Sequence, residues 1–227
     1  MTHLSIAQVD LDGAIREGAE QVQTNTRTGF MSTGAKAAAG IVGGGALLAL
    51  LPQAASAASA GDLAILNFAL TLEYLERDFY AEALRTGGAG SGEQRRFAEV
   101  AHAHEAAHVT ALRKALGRSA ISSPRFDFGH TTRDPGEFRL TAVELEDTGV
   151  RAYKGQAPLI KSKAVLAAAL SIHSVEADHS AWIRRISHRD PTYTGAFEQP
   201  LTKAEVLAAV KATGFIVSAP PPTSGLG

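Results

Sequence analysis

Two seven-residue strings constrain this chain more than any other feature. His102-Ala103-His104-Glu105-Ala106-Ala107-His108 and His173-Ser174-Val175-Glu176-Ala177-Asp178-His179 both read H-x-x-E-x-x-H. On an α-helix a step of three residues turns about 300°, so His, Glu and His fall within a wedge of about 120°. Apolar residues share each wedge: Val109 and Leu112 in the first, Ile172 and Ile183 in the second. The wedges therefore face inward, and two helices must bring ionisable groups into one interior.

A second matched pair accompanies them. Leu72-Glu73 is followed seven residues later by Tyr80, and Leu145-Glu146 seven residues later by Tyr153. Seven-residue spacing keeps side chains close to one helical face. The interval from Glu73 to Glu105 is 32 residues and that from Glu146 to Glu176 is 30. The chain reads as two copies of one helical hairpin, each carrying Glu and then Glu-x-x-His. Isolated ionised carboxylates are costly to bury, and four that converge repel one another. Two divalent cations cancel four carboxylate charges, and neutral imidazoles complete their surroundings. Bundles that hold two metal ions use this set: one Glu from each of two helices and Glu-x-x-His from each of the other two.

Helical periodicity places the hairpins at residues 63–85 and 93–116, then 140–155 and 162–187, with a short helix at 202–213. Gly87 to Gly92 and Gly117 end the first two helices, and Pro158 stops the third. Residues 118–138 hold Pro124, Gly129, Pro135 and Gly136 and form a long link. No run of alternating residues marks a strand. The expected fold is all-α: an up-down four-helix bundle with a long crossover between helices two and three, plus a short C-terminal helix. The domain is expected at 61–187, and 188–227 supplies the short helix and a Pro-rich tail.

Residues 1–60 read as an export signal. Ala37 to Leu51 carry no charge, too few residues for a membrane span. The small-residue motifs Ala55-Ser56-Ala57 and Ala58-Ser59-Ala60 follow, and cleavage is expected after Ala60. Thr26-Arg27-Thr28-Gly29-Phe30-Met31 resembles a twin-arginine signal lacking one arginine. Residues 1–34 carry a net charge of −2, where positive charge is usual. Residues 61–227 contain no Met and equal numbers of basic and acidic residues, and the chain has no Cys. That composition excludes thiolate sites and disulfides. The net charge of −1 argues against a nucleic-acid partner. The expected location is periplasm, cell envelope or exterior of a bacterium, with no membrane span after cleavage.

The segments ILNFALTLEYLERDFYAEAL, HEAAHVTALRKAL, LEDTGVRAYKGQAP and SIHSVEADHSAWIR lie within residues 62–186. In them the chain resembles the ferritin-like superfamily of di-iron carboxylate four-helix bundles, and within it bacterial ferritin-like-domain proteins described as desiccation-related. The resemblance implies a metal site of Glu73, Glu105, His108, Glu146, Glu176 and His179. It also implies inward tyrosines at Tyr80 and Tyr153. Glu76 is the alternative to Glu73, and Glu144 to Glu146, with Glu144 preferred as solvated. His102 and His173 exceed the pattern, as extra ligands, hydrogen-bond partners or ordinary core histidines. His104 and Asp178 are expected at the surface, and Trp182 in packing.

Carboxylate and imidazole donors without thiolate suit two iron or manganese ions, with zinc a third option. The expected activity is Fe(II) oxidation or consumption of peroxide or dioxygen in stress protection. The alternative is a non-catalytic metal-binding bundle, or a structural, desiccation-protection one. Metal ions and small oxidants are the expected partners, and a homo-oligomer is compatible with the sequence.

Overall fold

The computed structural model describes residues 58–192 and 195–218. All but the last three residues of the predicted signal, and the tail after residue 218, lie outside the described residues. Five α-helices are present among those described: α1 (Ala60–Thr86), α2 (Gly92–Leu116), α3 (Pro135–Gln156), α4 (Lys163–Ile186) and α5 (Lys203–Thr213).

The helix starts follow local chemistry. Ser59 caps α1 in a capping box with Asp62. Ser162 caps α4, and Thr202 with Glu205 forms a second capping box at α5. Helix α3 begins five residues before the sequence-based boundary of 140. Asp134 Oδ1 accepts hydrogen bonds from the N–H groups of Gly136 and Glu137, and Pro135 is the first helical residue. Proline at that position loses no helical hydrogen bond, so the Pro-Gly pair opens the helix rather than belonging to the link.

Tertiary contacts set the helix directions. Residues just before α3 touch the C-terminal end of α1, since Thr86 Oγ1 donates to Thr132 O. Gln94 Nε2, near the start of α2, donates to Pro135 O. At the other end, Asn67 Nδ2 donates to Ser119 O, and Lys161 N donates to Asp62 Oδ1. Helices α1 and α3 are therefore antiparallel, and the 118–134 link crosses the length of the bundle, as the sequence predicts.

The link carries a feature the sequence reading missed. Strand β1 (Arg125–Phe126) pairs antiparallel with β2 (Ile216–Ser218). Two residues are too few to show alternation. Asp127 N donates to Phe215 O, and Phe128 meets Phe215 edge-on at 5.2 Å, so the crossover is stapled to the segment after α5.

The apolar core forms two clusters along the bundle. One holds Phe79, Tyr80, Phe97, Phe138, Val143 and Ile183. The other holds Leu66, Leu70, Tyr74, Leu112, Val165 and Ile172. Each fully buried Leu or Phe contributes about 1.5–3 kcal/mol. The side chains of Glu73, Glu76, Glu105, His108, Glu146, Glu176 and His179 belong to neither cluster and fall between them on all four long helices, so apolar packing closes the ionisable layer at both ends.

The internal duplication extends to polar pairs. Arg113 Nη1 donates to Tyr74 Oη at 2.6 Å, and Arg184 Nη1 pairs with Asp147 at 2.5 Å. Residues 74 and 147 hold equivalent positions in the two hairpins, as do 113 and 184. Ser180 Oγ also donates to Asp147 Oδ1, at 2.6 Å.

Candidate metal centre

Each long helix delivers ionisable groups to the layer between the clusters. Glu73, Glu105, Glu146 and Glu176 have no exposed surface, and Glu76, His108 and His179 are buried. Ligand atoms of Glu73, Glu105, His108 and Glu176 lie within 4.8 Å of one another. The same holds for Glu105, Glu146 and His179, and for Glu76, Glu146 and Glu176. Glu105, Glu146 and Glu176 each belong to two groups, so the seven side chains form one continuous cluster.

The histidines sit among the carboxylates. His108 Nδ1 lies 2.9 Å from Glu105 Oε2, 3.1 Å from Glu73 Oε2 and 3.3 Å from Glu176 Oε1. His179 Nδ1 lies 3.1 Å from Glu105 Oε1 and 3.5 Å from Glu146 Oε2. Even so, His179 Nδ1, Glu105 Oε1, Glu146 Oε2 and both Glu176 oxygens lack a partner in hydrogen-bonding geometry. These atoms are close because they converge on common points, not because they bond to each other. Buried polar atoms are almost always satisfied, and a cation at the shared points satisfies donors of this type together. The buried carboxylate and histidine groups fit a metal site.

The outer oxygens are fixed by tyrosines in a reciprocal exchange. Tyr80 of α1 donates to Glu146 Oε1 of α3, and Tyr153 of α3 donates to Glu73 Oε1 of α1, each at 2.5 Å. Helix α2 adds His104. Its Nδ1 lies 2.9 Å from His179 Nε2, and the rings stack at 18°. This contact occupies the far nitrogen of His179 and leaves Nδ1 facing the carboxylates, the orientation such partners impose on a ligating histidine.

Charge compensation is incomplete with protein groups alone. Burial pushes Glu73 well above the usual carboxylate range, against the opposing pull of His108. Burial does the same to Glu76, reinforced by the charge of Glu176. Glu146 is raised by burial. Glu176 is pushed up to about 7 by burial and then by the charge of Glu105. Glu105 moves the other way: burial opposes, but the hydrogen bond to His108 and the close approach of His179 hold it ionised. Burial disfavours charge on both histidines, yet the surrounding carboxylates raise them well above their usual value. Protons and divalent cations thus compete for the same compensating role.

The six residues given by the resemblance all meet in this cluster, and Tyr80 and Tyr153 adjoin it. Glu76 joins Glu73 instead of replacing it, giving five carboxylates. Its equivalent in the second hairpin is Gly149. A Cβ at Gly149 would lie 3.0 Å from Glu176 Oε2 and 3.3 Å from Glu76 Oε1. One hairpin contributes an extra carboxylate and the other omits a side chain to admit it. Superposing the two repeats in sequence reveals that asymmetry.

His102 and His173 belong to none of the ligand groups. Each precedes its Glu by three residues, which turns it about 60° from Glu on the side away from the ligating His. Burial lowers the pKa of His173, followed by the charge of Lys154 on its flank of the bundle. His104 is exposed as expected, but its contact with His179 was not anticipated. Glu144 is exposed and faces Arg189 at 3.6 Å. Asp178 is exposed. Trp182 packs edge-on against Phe97 at 5.5 Å, and its indole N–H donates to Glu93.

Four long helices, a full-length crossover and a carboxylate–histidine layer at mid-bundle define a ferritin-like architecture. A model of the ferritin-like domain matches residues 61–189, and the chain belongs to that family. None of the curated proteins compared matches it. Among the described residues no helix is long and apolar enough to cross a membrane.

Proposed function

We propose that the cluster holds two iron or manganese ions and that the protein is an exported redox enzyme, oxidising Fe(II) or consuming peroxide or dioxygen in stress protection. The observation that carries this reading is the set of buried, convergent and partly orphaned donors: five carboxylates and two imidazoles. Glu73, Glu105, His108 and Glu176 would hold one ion. Glu146, Glu176, Glu105 and His179, with Glu76, would hold the other. Such a pair supplies two-electron redox chemistry toward small oxidants. The chain's own residues hold the carboxylates in register through Tyr80 and Tyr153, orient His179 through His104, and close the layer toward both ends of the bundle with the two apolar clusters.

Export rests on the apolar stretch and small-residue motifs before residue 61. Ser59 Oγ accepts the Asp62 N–H that opens α1. Cleavage after Ala60 removes this cap, whose loss costs about 1 kcal/mol, whereas cleavage after Ala57 retains it. N-terminal sequencing of the secreted protein separates the two.

Elemental analysis tests the centre. The purified protein, expressed with iron and manganese supplied, is compared with a Glu105→Ala/Glu176→Ala variant. About two ions per chain, lost in the variant, support the reading and identify the metal. Equal, substoichiometric metal in both proteins removes it. Two ions without turnover of Fe(II) or peroxide leave a non-catalytic metal-binding bundle.

A further inference from the structure

A cleft of about 320 Å³ opens between α1, α3 and α5. Its outer residues are Glu144, Ala209, Ala212 and Thr213, all exposed. Its walls are Leu72, Leu75, Leu145 and Val210, and its inner end is formed by buried Glu76 and Gly149. The missing Cβ of Gly149 leaves the inner end about a methyl group away from Glu76 and Glu176. The cleft therefore leads from the surface to the carboxylate cluster.

Helix α5 makes the outer wall and lies beyond the matched residues 61–189. It is held down by close backbone approach. Leu201 N donates to Arg151 O at 3.0 Å, and Lys154 Nζ donates to Glu198 O at 2.5 Å. A Cβ at Gly155 would sit 1.9 Å from Leu201 O, so only glycine admits this segment against α3.

The lining selects the occupant. It contains no Lys, Arg or His to meet an anion; its two carboxylates sit at the ends, Glu144 at the mouth and Glu76 at the inner end, and the surface between them is mainly aliphatic. An ion that exchanges water for such walls loses several kcal/mol of solvation. The volume equals roughly ten waters at about 30 Å³ each, far more than dioxygen or peroxide needs, and it lies at the lower end of organic-ligand pockets.

We propose that this cleft binds an uncharged, mainly apolar organic molecule, with one end placed at Glu76 beside the carboxylate cluster. The placement at a metal centre rests on the proposed function; binding in the cleft does not.

The test uses 1-hexanol as the probe and the full exported protein with methyl-labelled Leu and Val. In metal-free protein, saturable NMR shifts are expected at Leu72, Leu75, Leu145 and Val210. Ala209→Trp, which fills the mouth from an exposed position, weakens them at least tenfold. Leu207→Trp, on the exposed side of the same helix, leaves them intact. Absent shifts, or shifts unaffected by Ala209→Trp, overturn the proposal. In Co(II)-loaded protein, hexanol is expected to alter the visible absorption bands in wild type but not in Ala209→Trp. Unaltered bands with shifted methyls overturn the placement beside the cluster. Failure of wild type to take up Co(II) counts against the metal reading alone, and the methyl shifts still decide the cleft.

Discussion

Tyr80 donates its hydroxyl to Glu146 Oε1 across the bundle, from a position two turns beyond Glu73 on its own helix. The equivalent Tyr153 returns the same bond to Glu73. Seven residues advance a helix by about 10.5 Å. In a parallel pair, matching Tyr80 to Glu146 would carry Tyr153 about 21 Å from Glu73. Only the antiparallel arrangement of α1 and α3 allows both bonds, so the exchange fixes the offset at which the carboxylates meet.

Removing either hydroxyl leaves a buried carboxylate oxygen without its donor. Tyr80→Phe and Tyr153→Phe are each expected to lower metal affinity by about tenfold, as loss of a ligand's hydrogen-bond partner does, with helical content unchanged. Isothermal titration with Co(II) beside circular dichroism checks this. An unchanged affinity in both variants would mean the tyrosines serve packing alone.

The stability of chelated protein depends on pH in a defined direction. Glu176, raised from 4.5 to about 7 by burial and by Glu105, keeps a proton in the folded state where the unfolded chain has lost it. The stability associated with that proton is present below about pH 4.5 and lost as pH rises through about 7. With EDTA, the melting temperature should fall between pH 5 and 8, and Glu176→Gln should flatten the fall. Metal-loaded protein should show the reverse trend, because ligands must shed protons to bind metal. Parallel melting curves with and without EDTA would sink the idea.

Gly149→Ala separates folding from metal binding. Alanine favours a helix interior by about 1 kcal/mol over glycine, so chelated protein should melt no lower than wild type. The new Cβ, 3.0 Å from Glu176 Oε2, displaces that carboxylate. Metal affinity should then fall about tenfold, a loss of about 1.4 kcal/mol. Unaltered Co(II) binding would show that the carboxylate moves aside without consequence.

Asp62 ties the start of α1 to the α3–α4 turn. Burial raises its pKa and is the largest single influence. Hydrogen bonds from Ser59 N, Lys161 N and Ser59 Oγ together outweigh it and leave the carboxyl below 3.8. Its contribution is therefore present above about pH 4 and lost as pH falls through the lower folded value. Asp62→Ala should cost about 1–2 kcal/mol at pH 7. Urea unfolding at pH 7 and pH 3 should show that gap narrowing in acid; a constant gap would assign the loss to packing.

Much of this was legible because it is local. Three-residue spacing within H-x-x-E-x-x-H fixes which residues share a helical face, and repetition of the hairpin marks the face as inward. Most helix ends are legible within a residue or two; the exceptions are the start of α1, three residues before the sequence-based boundary at the Ser59 cap, and Pro135, where a helix-starting pair resembles a loop. His104 and the Arg184–Asp147 pair are not legible by the same means, since each acts across helices; Glu76 is legible as an alternative to Glu73, and only the packing makes it an addition.

The sequence by itself determined the helical periods, the duplicated hairpin and the residues turned toward the core, because these follow from backbone geometry over one or two turns. Only the tertiary structure decided that Glu76 enters beside Gly149, that His104 meets His179, and that α5 walls a cleft ending at the carboxylates. Those outcomes depend on the rotation and offset of one helix against another, which packing and cross-bundle hydrogen bonds set and no single helix encodes.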